Sequence, residues 1–255
     1  MGFAVTSAFA ALLLFVALIL LFEVGRRIRR WRVARDGEHD AGAFGIIDGA
    51  IFALLGLLIA FTFSGAASRF QSRREHVVHE ANAIGTAYLR IDLVPAAAQP
   101  GLRQQFRDYV DSRLAIYRAL PDFDAAFKEL ARSGELQQQI WAAAIAASRD
   151  EPQAKMLLLP ALNEMIDITT TRTVEATILH PPVTIFVLLI LLCLLCAAIG
   201  GYGAGATRSW LHAIGFAAIL TATVYITWNL EYPRLGFIRI DPIDQLLVDV
   251  RTSFK

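Results

Sequence analysis

Four apolar runs, each close to the length that crosses a bilayer as a helix, constrain this chain more than any other feature of its sequence. About 20 apolar residues span the hydrocarbon core, and a helix does so because it satisfies its own backbone polar groups. Hydrophobic residues also make up 56% of the chain, more than a soluble domain of this size usually contains. The sequence therefore predicts an all-α, polytopic membrane protein with four transmembrane helices, at roughly residues 3–22, 44–63, 182–199 and 210–228.

The spans are arranged in two pairs around a mostly polar region. We predict a first transmembrane pair over 1–64, an extramembrane helical region over 65–181, a second pair over 182–229 and a C-terminal segment over 230–255. The polar region lacks the period-two alternation of strands. It is therefore expected to be helical throughout, and the second span is expected to continue out of the membrane as one long helix to about Leu89.

Proline and glycine divide the rest of the polar region. Apolar residues repeat at helical spacing from Leu102 to Tyr117, which predicts an amphipathic helix. A second helix is expected to start at Pro121-Asp122 and to be interrupted at Ser133-Gly134. A later helix starts at Asp150-Glu151-Pro152, and Pro160 is expected to kink or divide it. The sequence leaves the conformation of residues 238–250 undecided and suggests disorder for the last few residues.

Six arginines directly follow the first span. Because no basic residue precedes that span, we interpret it as an uncleaved anchor rather than a secretion signal. The positive-inside rule places this arginine-rich loop in the cytoplasm, with both termini and the central region outside. Basic residues that flank the other spans favour the opposite orientation, so both remain open. The arginines that follow the first span are Arg26, Arg27, Arg29, Arg30, Arg32 and Arg35.

Charge and motifs argue against several classes of function. The 24 basic and 23 acidic residues give no sign of nucleic-acid binding. Gly-rich phosphate loops, nucleophile elbows and zinc motifs are not found, so an enzyme is not predicted. Cys193 and Cys196 are interpreted as small buried residues of the third span, and His76 and His79 as part of a solvated or interhelical polar face. We predict no metal and no cofactor.

Polar side chains near the predicted membrane surface are candidates for an ion vestibule. Glu164, Asp167 and Arg172 form a cluster with neighbouring threonines shortly before the third span. Paired charges and hydroxyls at a membrane mouth set the local potential, although the same cluster could be an interhelical hydrogen-bond network. Asp48, near the start of the second span, is the one acidic residue close to the hydrocarbon core. An acidic residue within the membrane suggests function, although hydration at the interface also explains a charge at this position.

The second span carries a stripe of small residues at three-to-four spacing. Such a stripe permits close helix packing, with Gly45, Gly49, Gly56 and Ala60 as the packing positions. In an oligomer the same helix could line a central path, with Leu57 and Phe61 forming an apolar constriction. The pattern allows both interpretations.

Several sequence segments resemble known proteins. Leu57-Leu-Ile-Ala-Phe61, followed by Arg69-Phe70 and Arg73-Arg74-Glu75, resembles the second helix of bestrophin anion channels. Three further segments resemble a bacterial group described as bestrophin-like, over nearly the whole chain. They are Asn82-Ala-Ile-Gly-Thr-Ala-Tyr88-Leu-Arg90, Leu162-Asn-Glu-Met-Ile-Asp167 and Leu230-Glu-Tyr-Pro233-Arg-Leu-Gly236.

The resemblance implies a multi-pass protein of the bacterial inner membrane. It also implies a homo-oligomer, with five as the expected number of subunits, whose second helices surround a path for small inorganic ions. It places a hydrophobic neck at Ala53, Leu57 and Phe61 and adds Arg69 to the vestibule candidates. Ala53 and Ala60 depart from the family pattern, and no acidic calcium-binding cluster follows the fourth span, so calcium gating is not implied. Bestrophins keep their termini and large helical region in the cytoplasm, opposite to the orientation favoured by charge.

Two functions follow from these patterns. The first is an oligomeric, bestrophin-like ion channel or pore, with anions as the suggested ions and the second transmembrane helix lining the path. The second is a non-conducting membrane scaffold or sensor whose extramembrane helices bind a partner. In either case the predicted partners include the lipid bilayer and further copies of the chain.

Overall fold

The computed structural model describes residues 2–36, 44–177, 181–204 and 210–254, and within these ranges the chain contains helices and no strand. This confirms the predicted all-α class. Two short 3-10 turns accompany the helices, at Arg90–Leu93 and Asp241–Asp244. The α-helices are α1 (Phe3–Asp36), α2 (Phe44–Leu89), α3 (Gln99–Ala119), α4 (Phe123–Ala147), α5 (Pro152–Thr177), α6 (Val183–Gly203), α7 (Trp210–Glu231) and α8 (Gln245–Ser253).

The chain divides into two compact units. The first contains Met1–Phe70 and Pro181–Ile238, and the second contains Gln71–His180 and Arg239–Lys255. Four helices are long and apolar enough to cross a membrane, which agrees with the four predicted spans. The helix α2 is a single element of 46 residues, as the unbroken run after the second span predicts.

The first unit is held together by α1, α6 and α7. Leu18, Leu189, Cys193 and Cys196 are buried in its core, so both cysteines are interior residues. Phe186 on α6 meets Trp228 on α7 edge to face, with ring centroids 4.8 Å apart. Such aromatic pairs add to the energy of area burial.

Two glycines bring α1 and α6 into direct backbone contact. A Cβ atom on Gly25 would lie 1.9 Å from the carbonyl oxygen of Ala198, and one on Gly201 would lie 1.8 Å from that of Phe22. Both distances are far shorter than any contact a real Cβ atom makes. The crossing therefore requires glycine at both positions, which is the small-residue packing typical of membrane helices.

The arginines after the first apolar run lie on a helix, and their predicted placement in a loop is wrong. The helix α1 continues to Asp36, so all six are part of its C-terminal turns. Arg29 Nη1 donates to the carbonyl oxygens of Tyr202 (3.1 Å) and Gly203 (3.0 Å) at the end of α6. Carbonyls in a last helical turn lack intrahelical partners, so this contact stabilises α1 as a helix beyond its apolar part.

The second unit has a closed core. Ile84 of α2, Phe106 of α3, Ile140 of α4 and Met165 of α5 are all fully buried. The apolar face predicted for α3 is confirmed, because its residues from Leu102 to Leu114 at helical spacing line this core. The unit therefore has a core of its own, formed by four of its helices.

Of the two predicted interruptions, the one at Ser133-Gly134 is wrong. Ser133-Gly134 does not break α4: Ser133 is buried, and the residues after it continue the buried face, whose packing outweighs the roughly 1 kcal/mol cost of a helical glycine. Pro160 does not divide α5, and the kink expected as the alternative stays a prediction. Arg90 Nη1 donates to the carbonyl oxygen of Leu157 at 2.5 Å, in the turn where the proline ring weakens the backbone ladder.

The C-terminal segment packs on the second unit. Its helix α8 buries Leu247, and the ring of Phe254 stacks on Tyr88 with centroids 3.7 Å apart. Arg251 makes two hydrogen bonds to the carboxylate of Asp111, at 2.8 and 2.9 Å. The segment that the sequence left undecided is thus helical from Asp241 onward, and Phe254 near its end is buried.

Candidate functional site

The membrane part of α2 has one face that packs within the chain. Leu55 is buried in the core of the first unit, and Ile51 and Ile59 pack against the same core. Phe52 meets Phe216 of α7 edge to face, with centroids 6.1 Å apart. These contacts attach the membrane part of α2 to the rest of the unit.

The opposite face of α2 is open. Leu57 is 52% exposed and Phe61 is 68% exposed, and Ala53 is exposed beside them. Only 6% of the most apolar window of α2 is buried, compared with 33% for α6. We call this the open face of α2, and it consists of Gly45, Gly49, Ala53, Gly56, Leu57, Ala60 and Phe61.

The small residues predicted for helix packing all lie on the open face. A Cβ atom placed on Gly45, Gly49 or Gly56 would have no neighbour within 4 Å in the part of the chain that the structure describes. Ala60 is exposed as well. A packing role for these positions would therefore need a helix from another subunit, and it stays a prediction, as does the neck at Ala53, Leu57 and Phe61.

Arg69 of α2 is bound to the end of α7. Its Nε donates to both carboxylate oxygens of Glu231, at 3.0 and 3.1 Å, and its Nη2 also contacts that carboxylate. The Glu231 side chain is only 1% exposed. Such a bidentate pair is strong and directional, so Arg69 acts here together with a negative charge rather than as a lone cation.

The segment after α7 explains one of the sequence motifs. Asn229 Oδ1 accepts a hydrogen bond from the backbone N–H of Phe237 at 2.7 Å, and its Nδ2 donates to the carbonyl oxygen of Tyr225. A Cβ atom on Gly236 would lie 2.3 Å from Asn229 Oδ1, so this turn needs glycine. The sequence alone assigned no role to Glu231 within this motif. The signal that could have identified it is an acidic residue at the end of an apolar span.

Glu164 and the two histidines form contacts between α2 and α5 in the second unit. His79 Nε2 lies 2.9 Å from Glu164 Oε1, and His76 Nδ1 lies 2.7 Å from Glu175 Oε2. Asp167 is exposed and accepts a hydrogen bond from Asn163 at 2.8 Å. Groups of three or more metal-binding side chains are not found among the described residues.

Arg172 belongs to a buried charge cluster. Glu80 is fully buried; Arg113 Nε donates to its Oε1 at 2.6 Å, and Arg172 contacts its Oε2. The Arg172 guanidinium also lies over the Tyr117 ring, 4.7 Å from its centroid. Sequence reasoning missed Glu80 and Arg113, because a charge at helical spacing gives no sign that it will be buried. Asp48, the remaining vestibule candidate, is partly buried.

The fold and the site together define a helical, four-span membrane protein with a helical second unit and an open face on its second helix. The family model for the bestrophin-like domain matches residues 10–244 of the sequence. The chain therefore belongs to the bestrophin-like family, as the sequence resemblance predicted.

Solved structures agree with this assignment. A variant of a bacterial bestrophin homologue from Klebsiella pneumoniae superposes with a TM-score of 0.74 at 13% identity, over 99% of this chain and 100% of that one. The homologue structure phased with zinc gives a TM-score of 0.69 at 14% identity, over 96% and 99% of the two chains. At these identities the likeness shows the fold. Comparison with curated proteins found no match.

Proposed function

We propose that this protein assembles into a homo-oligomer, with five subunits as the expected number, that forms an ion channel or pore lined by α2. The observation that supports the proposal most strongly is the open face of α2. It combines exposed Leu57 and Phe61 with a stripe of glycine and alanine that meets no other helix of the described chain. Membership of the bestrophin-like family supports the same proposal.

Lipid contact alone explains the open face less well. Exposed side chains elsewhere in the first unit include large apolar ones, such as Phe9, Leu12 and Leu20 of α1, which are 57–60% exposed. Gly45, Gly49 and Gly56 offer lipid little surface, and each lowers the helix propensity of α2 by roughly 1 kcal/mol relative to alanine. Packing between two closely approaching helices offsets that cost.

The neck proposed at Ala53, Leu57 and Phe61 follows from their shared face. The three are spaced four residues apart, which places them on successive turns along one side of the helix. Related by rotational symmetry in an oligomer, they would form apolar rings around an axis. Apolar constrictions of this kind gate by dewetting and hold no ion tightly.

The charges near the candidate residues bear on which ion would pass. Arg69 is paired with Glu231, and Arg172 is buried against Glu80. Glu164 and Asp167 are the exposed vestibule candidates, and both are acidic. The proposal of anion conduction therefore rests on the resemblance to bestrophins, and ion selectivity is the first property to measure. Neither the candidates nor the family suggests catalysis.

A separate observation favours the second candidate function, a scaffold or sensor. Phe123 and Phe127 of α4 are 53% and 54% exposed, and they lie one helical turn apart on the second unit. Exposed aromatic pairs are frequent anchors of protein interfaces. They favour a non-conducting scaffold or sensor that binds a partner through its extramembrane helices.

Single-channel recording of the purified protein in a planar bilayer distinguishes the two functions. Under chloride and potassium gradients we expect discrete openings, and the reversal potential then identifies the permeant ion. Phe61→Ala should change the unitary conductance several-fold, because it removes the largest side chain of the neck. Phe9→Ala, an equally drastic change at an exposed site on α1, is the matched control and should leave conductance unchanged.

Stability must be measured in the same samples, because removing a large apolar side chain can also weaken packing. Silence from folded, oligomeric protein over a range of voltage and pH would contradict the channel and favour the scaffold. An unchanged conductance in folded Phe61→Ala would remove Phe61 from the neck while leaving the channel itself in place.

A further inference from the structure

A cavity of about 470 Å³ lies among α1, α2, α6 and α7 of the first unit. Its walls are mostly apolar and include Ile19, Phe22, Phe52 and Phe216. This volume is within the range of roughly 300–1,000 Å³ that is typical of ligand pockets. The proposed conduction path uses the opposite face of α2, so this cavity has no role in the function proposed above.

Three polar side chains, Glu23, Arg26 and His212, also line this mostly apolar cavity. Arg26 lines it and is 3% exposed. Its Nε donates to Glu23 at 3.1 Å and its Nη2 donates to both Glu23 oxygens at 2.7 Å. These bonds hold the guanidinium in one orientation, since the two residues are one turn apart on the same rigid helix.

The third nitrogen of this guanidinium lacks a hydrogen-bond acceptor. Arg26 Nη1 is buried and has no partner among the residues that the structure describes. A buried donor without an acceptor costs roughly 1–3 kcal/mol, and more when the group is charged. An acceptor within the cavity would remove this cost.

The positive charge of α1 near the cavity favours an anionic acceptor. Glu23 neutralises Arg26, but Arg27, Arg29 and Arg30 follow within the next turn of α1, and the segment remains positive. Arg27 also approaches Glu23, at 3.5 Å, with its own side chain 76% exposed. These arginines follow directly on the apolar part of α1, where anionic headgroups attract basic residues with about 1 kcal/mol each.

We propose that the cavity binds an anionic phospholipid, with a phosphate oxygen accepting from Arg26 Nη1 and an acyl chain against Phe22, Phe52 and Phe216. A free phosphate could use Arg26 but would leave the apolar walls unfilled. A neutral lipid could fill the walls but would match the positive segment less well. The inference concerns binding alone and does not depend on conduction.

Native mass spectrometry of the purified oligomer tests the proposal. The protein is titrated separately with dioleoyl-phosphatidylglycerol, dioleoyl-phosphatidylcholine and inorganic phosphate. We expect phosphatidylglycerol to bind at least tenfold more tightly than phosphatidylcholine, with one tight site per subunit. Arg26→Gln should abolish this preference, whereas Arg27→Gln removes the same charge from an exposed site on the same turn and should retain it.

Arg26→Gln could fail to fold because it removes the three charge-assisted hydrogen bonds between Arg26 and Glu23. Ala213→Leu is the second variant: Ala213 lines the cavity, and the added side chain would occupy the volume of the acyl chain with every charge intact. Loss of tight lipid binding in folded Ala213→Leu supports the proposal. Equal binding of the two lipids, displacement of the lipid by inorganic phosphate, or tight binding that survives both Arg26→Gln and Ala213→Leu would overturn it.

Discussion

Two sets of glycines in the first unit have opposite surroundings. Gly25 and Gly201 lie where α1 and α6 cross, and a single added carbon would collide with backbone at either site. Gly45, Gly49 and Gly56 lie on the open face of α2 and have space around them in the described chain. Small residues in a membrane helix permit close approach, but only the first set has a close neighbour among the described residues.

The largest effect is expected at the α1–α6 crossing. Gly201→Ala should destabilise the fold by about 1–3 kcal/mol or more, because the helices must separate to admit the methyl group. Thermal unfolding in detergent, followed by intrinsic fluorescence, measures the loss. Gly215→Ala is the matched control in α7, since a Cβ atom there meets nothing within 4 Å among the described residues. Equal unfolding temperatures for the two variants would contradict the tight crossing.

A smaller loss is expected from the contact that holds α2 against α7. Glu231→Gln removes the charge that accepts three hydrogen bonds from Arg69, and hydrogen bonds to charged groups contribute roughly 1.5–3 kcal/mol. A double-mutant cycle with Arg69→Gln, read by the same unfolding assay, isolates the pair. Strictly additive losses would mean that the two residues stabilise the unit independently.

Substitutions on the open face should change the assembly of the oligomer rather than the stability of the single chain. Gly49→Leu adds a side chain where the single chain has room, so the unfolding temperature should change little. If α2 packs against another subunit, the oligomer should dissociate or change its subunit number, as measured by light scattering after size-exclusion chromatography. Ala8→Leu, at an exposed site on α1, provides the control. Identical masses for wild type and both variants would show that Gly49 lies outside the subunit interface.

Hydropathy and helical spacing were sufficient to predict the spans, the all-α class, the long α2 helix and the buried face of α3. They failed where tertiary contacts decide the outcome. Arg29 extends α1 by capping α6, and the buried face of α4 carries its helix past Ser133-Gly134. In the second unit, Glu80 and Arg113 look like ordinary surface charges until three helices bury them together.

The candidate site was predicted in part. The sequence identified the small stripe on α2 and the residues Leu57 and Phe61, because a helix of known period places them on one face. It could not show that this face is open in the single chain, or that Arg69 is paired with Glu231. Both depend on the packing of α7, which is distant in sequence from α2.

The most direct test of the account asks whether Leu57 faces water inside a conducting oligomer. Cys193 and Cys196 are first replaced by alanine, and Leu57→Cys is introduced and treated with a charged, membrane-impermeant thiol reagent during current recording. We expect modification and a fall in current. Leu12, which is 57% exposed on α1, is the control position, and Leu12→Cys should not react. A Leu57→Cys channel that conducts normally and resists the reagent would contradict a path lined by the open face of α2.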